Sequence, residues 1–264
     1  MLSTNAIMPT QDELHAYLAV AESAARNAGE LLRKNFHQPL EVDAKEAYDI
    51  KLALDRESQE LITEELLASF PDHAIIGEEG VAGDQDSELH WIVDPIDGTV
   101  NYFYGIPHFC VSIALQHEDE SIIGVIYDPI LNEMFSVVRG DKPTCNGKPI
   151  RVSERDTMGD AMVTVGFSKS KESLDAGFER YKEIAYQVRK SRLMGSAALA
   201  MAYIAAGRLD AYIEEQISIW DIAAGDLLVE AAGGHVHLAK SPSAEGKLFI
   251  CASNGKLPLE KYCV

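Results

Sequence analysis

Apolar residues recur at Leu14, Tyr17, Leu18, Ala21, Ala25, Ala28, Leu32 and Phe36, the spacing of one helical face. Thr10 followed by Glu13 is a capping box, so the pattern predicts a long first helix that runs to about Phe36 and ends near Pro39. Leu54, Leu61, Ile62, Leu66 and Leu67 predict a second amphipathic helix, which Pro71 bars from continuing. From His73 the period changes. Residues 74–76, 91–93, 110–115, 122–127 and 134–138 are short β-rich runs parted by Gly, Asp, Asn and Pro. The close spacing of the last three predicts an antiparallel meander, and Asn146-Gly147 marks a turn near the junction of two halves.

Beyond that turn, elements alternate. Residues 161–167 read as a strand, 174–188 as a helix, 196–206 as a small-residue helix and 209–213 as a strand. A helix over 221–232 stops at Gly233-Gly234, and 235–238 and 248–252 are strands. Alternation after an antiparallel block implies a layered α/β (α+β) fold with a site at the junction. Residues 1–146 form the helix pair and antiparallel sheet; residues 147–264 form the α/β half. No internal repeat, low-complexity tract or linker interrupts them.

Composition narrows the class. With 47% apolar and 25% charged residues over 264 positions, the chain can bury a sizeable core, which excludes disorder, collagen and coiled coil. Lys plus Arg number 23 against 42 Asp plus Glu, and the net charge of −19 repels nucleic acid and anionic membranes, so neither is an expected partner. Cys110, Cys145, Cys251 and Cys263 show no metal or redox spacing and read as reduced thiols. The first residues carry acids and no basic region, and the run over 196–206 is too short to span a bilayer, so the expected location is cytoplasmic.

Most of the 42 acids are solvated surface, but three groups end apolar runs. Trp91-Ile92-Val93 leads straight into Asp94-Pro95-Ile96-Asp97-Gly98-Thr99, with Pro95 fixing the turn between two acids and Gly98 allowing close backbone approach. Ala74-Ile75-Ile76 leads into Gly77-Glu78-Glu79-Gly80. Asp221, in Ile219-Trp220-Asp221-Ile222-Ala223-Ala224-Gly225, stands at the predicted start of a helix, where it serves as an N-cap. Singly, each has a structural explanation as turn, loop or cap. Jointly, carboxylates at the ends of buried segments are costly unless a cation neutralises them, and an oxygen-only set suits magnesium rather than zinc.

In their order and spacing these three segments resemble the signatures of the inositol monophosphatase family: Gly-Glu-Glu after a strand, Asp-Pro-Ile-Asp-Gly-Thr with an Asn two residues beyond, and Trp-Asp-x-Ala-Ala-Gly downstream. The likeness extends from the first helix pair to the last strands. It implies a layered α-β-α-β-α sandwich of the sugar-phosphatase type, a homodimer, and lithium-sensitive hydrolysis of a phosphate monoester by a metal-activated water. By similarity, Glu78, Asp94 and the carbonyl of Ile96 hold one Mg²⁺, Asp94, Asp97 and Asp221 a second, and a third ion is shared with Glu78. Thr99 positions the water with Asp55 as its partner, and the N–H groups of Gly98 and Thr99 cradle the phosphate. Asp97, Gly195, Ser196, Ala197 and Glu214 are the implied contacts to a small phosphorylated polyol or sugar. Lys45 is the candidate for the family's active-site lysine, one residue off the commonest spacing.

Asn101 two residues after Thr99 and the compact length favour myo-inositol monophosphate. Histidinol phosphate, fructose 1,6-bisphosphate, phosphoadenosine phosphate and NADP are the rival substrates, and a catalytically silent binding homologue is the rival class. His235 and His237 alternate on a strand and read as solvent-facing, and His108 as a packed histidine.

Overall fold

The structure, a computed structural model, describes residues 8–45, 50–167 and 171–263. Helix α1 (Gln11–Asn35) begins at the expected capping box: Thr10 N donates to Glu13 Oε2 at 2.8 Å and Glu13 N to Thr10 Oγ1 at 3.4 Å. A short hairpin, β1 (Val42–Lys45) and β2 (Ile50–Leu52), leads into α2 (Ala53–Ser69). Strands β3 (Ala74–Gly77), β4 (Gly80–Gly83) and β5 (Leu89–Asp97) precede a short helix α3 (Thr99–Phe103). The meander follows as β6 (Cys110–His117), β7 (Glu120–Asp128) and β8 (Glu133–Val138), closed by the small pair β9 (Thr144–Cys145) and β10 (Lys148–Pro149).

These strands form an eight-stranded sheet in the order β10-β9-β8-β7-β6-β5-β3-β4, antiparallel except where β3 runs parallel to β5. Successive side chains of β6 and β7 point to opposite faces, and both faces are covered, so the runs are apolar throughout rather than alternating. On one face Val111, Ile113, Leu115 and Val125 pack with Leu14, Ala21, Ala25, Ala28 and Leu32 of α1 and Ile62 and Leu66 of α2. The alanines let α1 lie close to the sheet.

The chain continues as β11 (Met162–Val165), α4 (Lys171–Ala185), β12 (Lys190–Arg192), α5 (Ala197–Ala205), β13 (Ala211–Ile217), α6 (Ile219–Ala231), β14 (His235–Lys240) and β15 (Leu248–Ser253). Its five strands make a second sheet ordered β12-β11-β13-β15-β14. Helices α5 and α6 fill the space between the sheets, where Leu199, Met201, Leu227 and Leu228 meet Cys110, Ala114 and Ile126 on one side and Tyr212, Ile250 and Ala252 on the other. A helix covered on all sides needs no polar stripe, which is why α5 is apolar all round. Burying a Leu such as Leu199 or Leu228 contributes about 2 kcal/mol. The outer face of the second sheet packs through Val163, Ile213 and Phe249 against Ile184 of α4. The layers are α1/α2, large sheet, α5/α6, small sheet and α4, the α-β-α-β-α sandwich expected.

Several elements differ from the sequence reading. The strand begun at Trp91 continues through Pro95 to Asp97, so both acids lie on β5 rather than beyond it. Helix α6 starts two residues before Asp221, with Ser218 as N-cap, so Asp221 is not the cap. Cys251 and Cys263 are joined in a disulfide that ties the C-terminal segment to β15, which corrects the reading of four reduced thiols; Cys110 and Cys145 are free. No helix among the described residues is long and apolar enough to cross a membrane.

Candidate metal centre

The site begins with an irregularity in β5. Asp94 pairs with Ser112 and Asp97 with Cys110, so the two acids are three residues apart while their partners are two apart. In a regular strand, residues three apart point to opposite faces; the bulge lets both carboxylates turn the same way. Asp221 joins them from the first turn of α6, and oxygens of Asp94, Asp97 and Asp221 all lie within 4.8 Å of one another. Asp94 is 1% exposed and Asp97 is 7% exposed.

Each carboxylate is held by its own element. Asp94 Oδ1 accepts the N–H of Ile96 at 3.0 Å, which fixes the path of the chain across Pro95. Asp97 sits over the start of α5: Oδ2 accepts from Ser196 Oγ at 2.6 Å and Ala198 N at 2.7 Å, and Oδ1 from Ala197 N at 3.2 Å. Free N–H groups at a helix start suit an anion, and here the anion is a side chain. Asp221 Oδ2 accepts Ser218 N at 2.8 Å.

Glu78 follows β3, its N–H donating to Val93 O at 3.1 Å, and lines one cavity of about 350 Å³ with Asp94, Ile96, Asp97, Thr99 and Asp221. Thr99 Oγ1 is 2.8 Å from Ile96 O and 3.3 Å from Asp55 Oδ1, while Asp55 Oδ2 accepts Leu52 N at 2.7 Å. Gly98 has φ of 98°, and a Cβ there would lie 3.0 Å from His108 O and 3.2 Å from Gly195 O, so only glycine fits the turn. Asn101 braces it, its amide donating to His108 O at 2.8 Å and Met194 O at 2.9 Å.

Glu214, near the middle of β13, accepts from the Tyr212 hydroxyl and lines the cavity. A second hollow of about 390 Å³ adjoins, walled by Val165, Phe167, Leu193 and Met194 and by Gly195, Ser196 and Ala197. The structure thus brings together Asp55, Glu78, Asp94, Ile96, Asp97, Gly98, Thr99, Glu214 and Asp221. Of the Gly195-Ser196-Ala197 backbone expected at the substrate, the Ala197 N–H is engaged with Asp97, and the Ser196 hydroxyl donates to the same carboxylate. The side chain of Lys45 lies outside the described residues.

Burial first, then the neighbouring charges of Glu78, Asp97 and Asp221, holds the Asp94 carboxyl far above the ordinary carboxylate range. Burial also raises Asp97, against which the Ser196, Ala198 and Ala197 donors pull down. Asp221 is pushed up to about 8 by burial and by Asp97, and Asp55 to about 7 by burial, opposed by its bond from Leu52. Acids that resist ionising together form a donor set whose charge a bound cation would offset. Hard oxygen ligands on rigid element ends fit magnesium. Sequence reasoning missed the Ser196–Ala198 grip on Asp97, the Asn101 brace, and Lys247, which lines the cavity and donates from its ammonium to Ser218 Oγ. A Ser ahead of Ala197-Ala198-Leu199 carries an N-cap signal; a lysine 26 positions after Asp221 carries none.

Comparison with known proteins agrees with the resemblance read from the three motifs. The sequence profile of the inositol monophosphatase family matches residues 13–262. The chain is 40% identical to Nus factor SuhB of Pasteurella multocida, over 84% of this chain and 85% of that protein. It is 38% identical to inositol monophosphatase 2 of Solanum lycopersicum, over 84% and 87%. The solved inositol monophosphatase of Anabaena (Nostoc) sp. superposes with a TM-score of 0.81 at 33% identity, over 95% of this chain and 94% of that one.

Proposed function

The chain belongs to the inositol monophosphatase family, and on that premise we propose that it hydrolyses a phosphate monoester, myo-inositol monophosphate foremost, with magnesium held in its acidic cluster. The observation that carries this reading is the meeting of buried Asp94 and Asp97 with half-buried Asp221, from two separate segments, in one place. Glu78, Asp94 and the Ile96 carbonyl would hold one ion, Asp94, Asp97 and Asp221 a second, with a third shared by Glu78. An ion held there would supply Lewis acidity for the phosphoryl group, the water and the leaving oxygen.

The chain's own groups do the rest. Thr99 Oγ1, set between Asp55 and Ile96 O, orients the water, with Glu78 lining the same cavity. The N–H groups of Gly98 and Thr99 face the phosphate, and Glu214 accepts from a hydroxyl of the leaving alcohol. Because Ser196 and Ala197 are spent on Asp97, they act on substrate through that carboxylate. Asn101 and the compact chain favour an inositol ring; a sugar phosphatase acting on fructose 1,6-bisphosphate or histidinol phosphate is the alternative. A silent binding homologue is disfavoured, since every acid and Thr99 are in place.

The relatives named Nus factor SuhB supply a second reading, a Nus-factor role. A net charge of −19 sets that role against direct nucleic-acid contact. Phosphate release from inositol, fructose, histidinol and adenosine phosphates, with and without magnesium, separates the two. The expected result is magnesium-dependent release, strongest from inositol phosphate, reduced about a thousandfold by Asp94→Asn, or ~4 kcal/mol of transition-state stabilisation. Unchanged circular dichroism in that variant ties the loss to the ion site; release that ignores magnesium overturns the reading.

A further inference from the structure

The Glu214 carboxyl group lies against bare backbone. Gly166 follows the last residue of β11, and its N–H donates to Ile213 O at 3.0 Å. The parallel pairing of β11 with β13 thus runs one residue past Val165 and brings the Gly166 Cα beside Glu214. A Cβ built on Gly166 would fall upon the Glu214 carboxyl group: Oε1 lies 2.8 Å from that position, and Oε2 and Cδ lie closer. Those three are the nearest atoms a side chain would meet there. Gly166 lacks the left-handed φ of Gly98 and Gly195, 98° and 78°, so backbone conformation does not call for glycine at this position. What the missing side chain provides is room for the carboxylate.

Tyr212 holds the same group from another side. Standing two residues before Glu214 on β13, it points to the same face of the sheet, and its hydroxyl donates to Glu214 Oε2. Tyr212 is 3% exposed; burial, and then the charge of Glu214, raises its hydroxyl well above the ordinary range, so it stays a donor. Gly166 and Tyr212 line the hollow of about 390 Å³, while Glu214 lines both that hollow and the cavity of the acid cluster. A glutamate free to turn would lose rotamer freedom each time it gripped a ligand. One already fixed by a hydroxyl and a close-lying Cα loses little, and it presents its acceptor in one place.

Resting on the reading that Glu214 accepts from a hydroxyl of the alcohol, we propose that Gly166 and Tyr212 are positioning residues that fix Glu214 and so set a preference for polyol esters over esters with no free hydroxyl. The test is the ratio of kcat/KM for inositol 1-phosphate over phenyl phosphate. It is measured in the wild type, Gly166→Ala, Tyr212→Phe, Glu214→Ala and the two double variants that carry Glu214→Ala, with Gly159→Ala as control. Gly166→Ala lowers the ratio about tenfold, chiefly through KM for inositol 1-phosphate, and Glu214→Ala lowers it at least as far. On the Glu214→Ala background neither Gly166→Ala nor Tyr212→Phe lowers it further, because the group they hold is gone. If Gly166 only kept β11 in place, its substitution would slow both esters alike with or without Glu214, and that additive result overturns the proposal. A ratio unmoved by Gly166→Ala and Tyr212→Phe overturns it too; should Gly166→Ala not fold, Tyr212→Phe and its double variant decide alone. A ratio unmoved by Glu214→Ala sinks the role given to Glu214 and this proposal together, while magnesium-dependent release keeps the phosphatase reading. Where the wild type releases no phosphate, calorimetric binding of inositol 1-phosphate to the same proteins decides. Binding weakened by Gly166→Ala only when Glu214 is present keeps the positioning role and sinks the phosphatase reading; no binding sinks both.

Discussion

Asp55 and Asp221 occupy equivalent positions, the third residue of α2 and of α6, and each spends one carboxylate oxygen on the N–H that precedes its own helix. The bond holds each carboxylate in place: the other oxygen of Asp55 accepts from Thr99, and the Asp221 carboxylate joins the acid cluster. Asp226, a turn and a half further along α6, has no such employment. Burial, and then the charge of Glu230, pushes its carboxyl from 3.8 to about 6, with Arg139 opposing. The folded chain therefore holds this proton more tightly than the unfolded one. Its contribution to stability is intact below about pH 4 and is lost as pH rises through about 6, leaving a cost of about 1–3 kcal/mol at neutral pH. Asp226→Asn should raise the urea midpoint at pH 7.5 and leave it unmoved at pH 3.5; an equal shift at both pH values would mean that the gain is not electrostatic.

At the scale of elements, α6 must lie very close to the large sheet for Asp221 to reach Asp94. The contact passes over Gly124 of β7, where a Cβ would fall 2.6 Å from Ala224 O and 3.2 Å from its Cα. Backbone cannot yield as a side chain can, so Gly124→Ala should displace α6, cost about 1–3 kcal/mol in chemical unfolding and depress phosphate release. Gly159→Ala, which meets nothing within 4 Å, is the control and should stay within about 0.5 kcal/mol. Loss of stability with full activity would show that α6 keeps its place. The sequence signals divide along the same line. Helices α1 and α2 were legible because each buries one face, and β6 to β8 because both faces are covered and the runs are apolar. The Asp94-to-Asp97 stretch read as a turn because a bulge is defined by the partner strand, which the local sequence does not name. Asp221 mimicked an N-cap because an acid is favoured anywhere in the first turn. The β1–β2 hairpin, the Cys251–Cys263 link and Lys247 depend on tertiary neighbours alone. The three acid motifs, by contrast, each lie at an element end, two of them with glycine beside the acid, so the gathering of Asp94, Asp97 and Asp221 was readable where its surroundings were not.

Across the whole molecule the net charge of −19 makes every added carboxylate unwelcome, and the cluster places several of them where water is excluded. A fold that tolerates this without cations carries a destabilising centre; with them, the same centre becomes a source of stability. Removing one charge should therefore act in opposite directions under the two conditions. In excess chelator, Asp94→Asn should melt above the wild type, because burial and the charges of Glu78, Asp97 and Asp221 all penalise ionised Asp94. Added magnesium at a hundredfold over its dissociation constant stabilises a binding-competent protein by about 2.7 kcal/mol, and a shift of ~5–10 °C is expected for the wild type. The variant should gain only the small rise that matched ionic strength in sodium chloride also gives, so the two melting curves exchange order. Equal gains in both proteins would place the magnesium on the general acidic surface, and the buried acids would then need another partner.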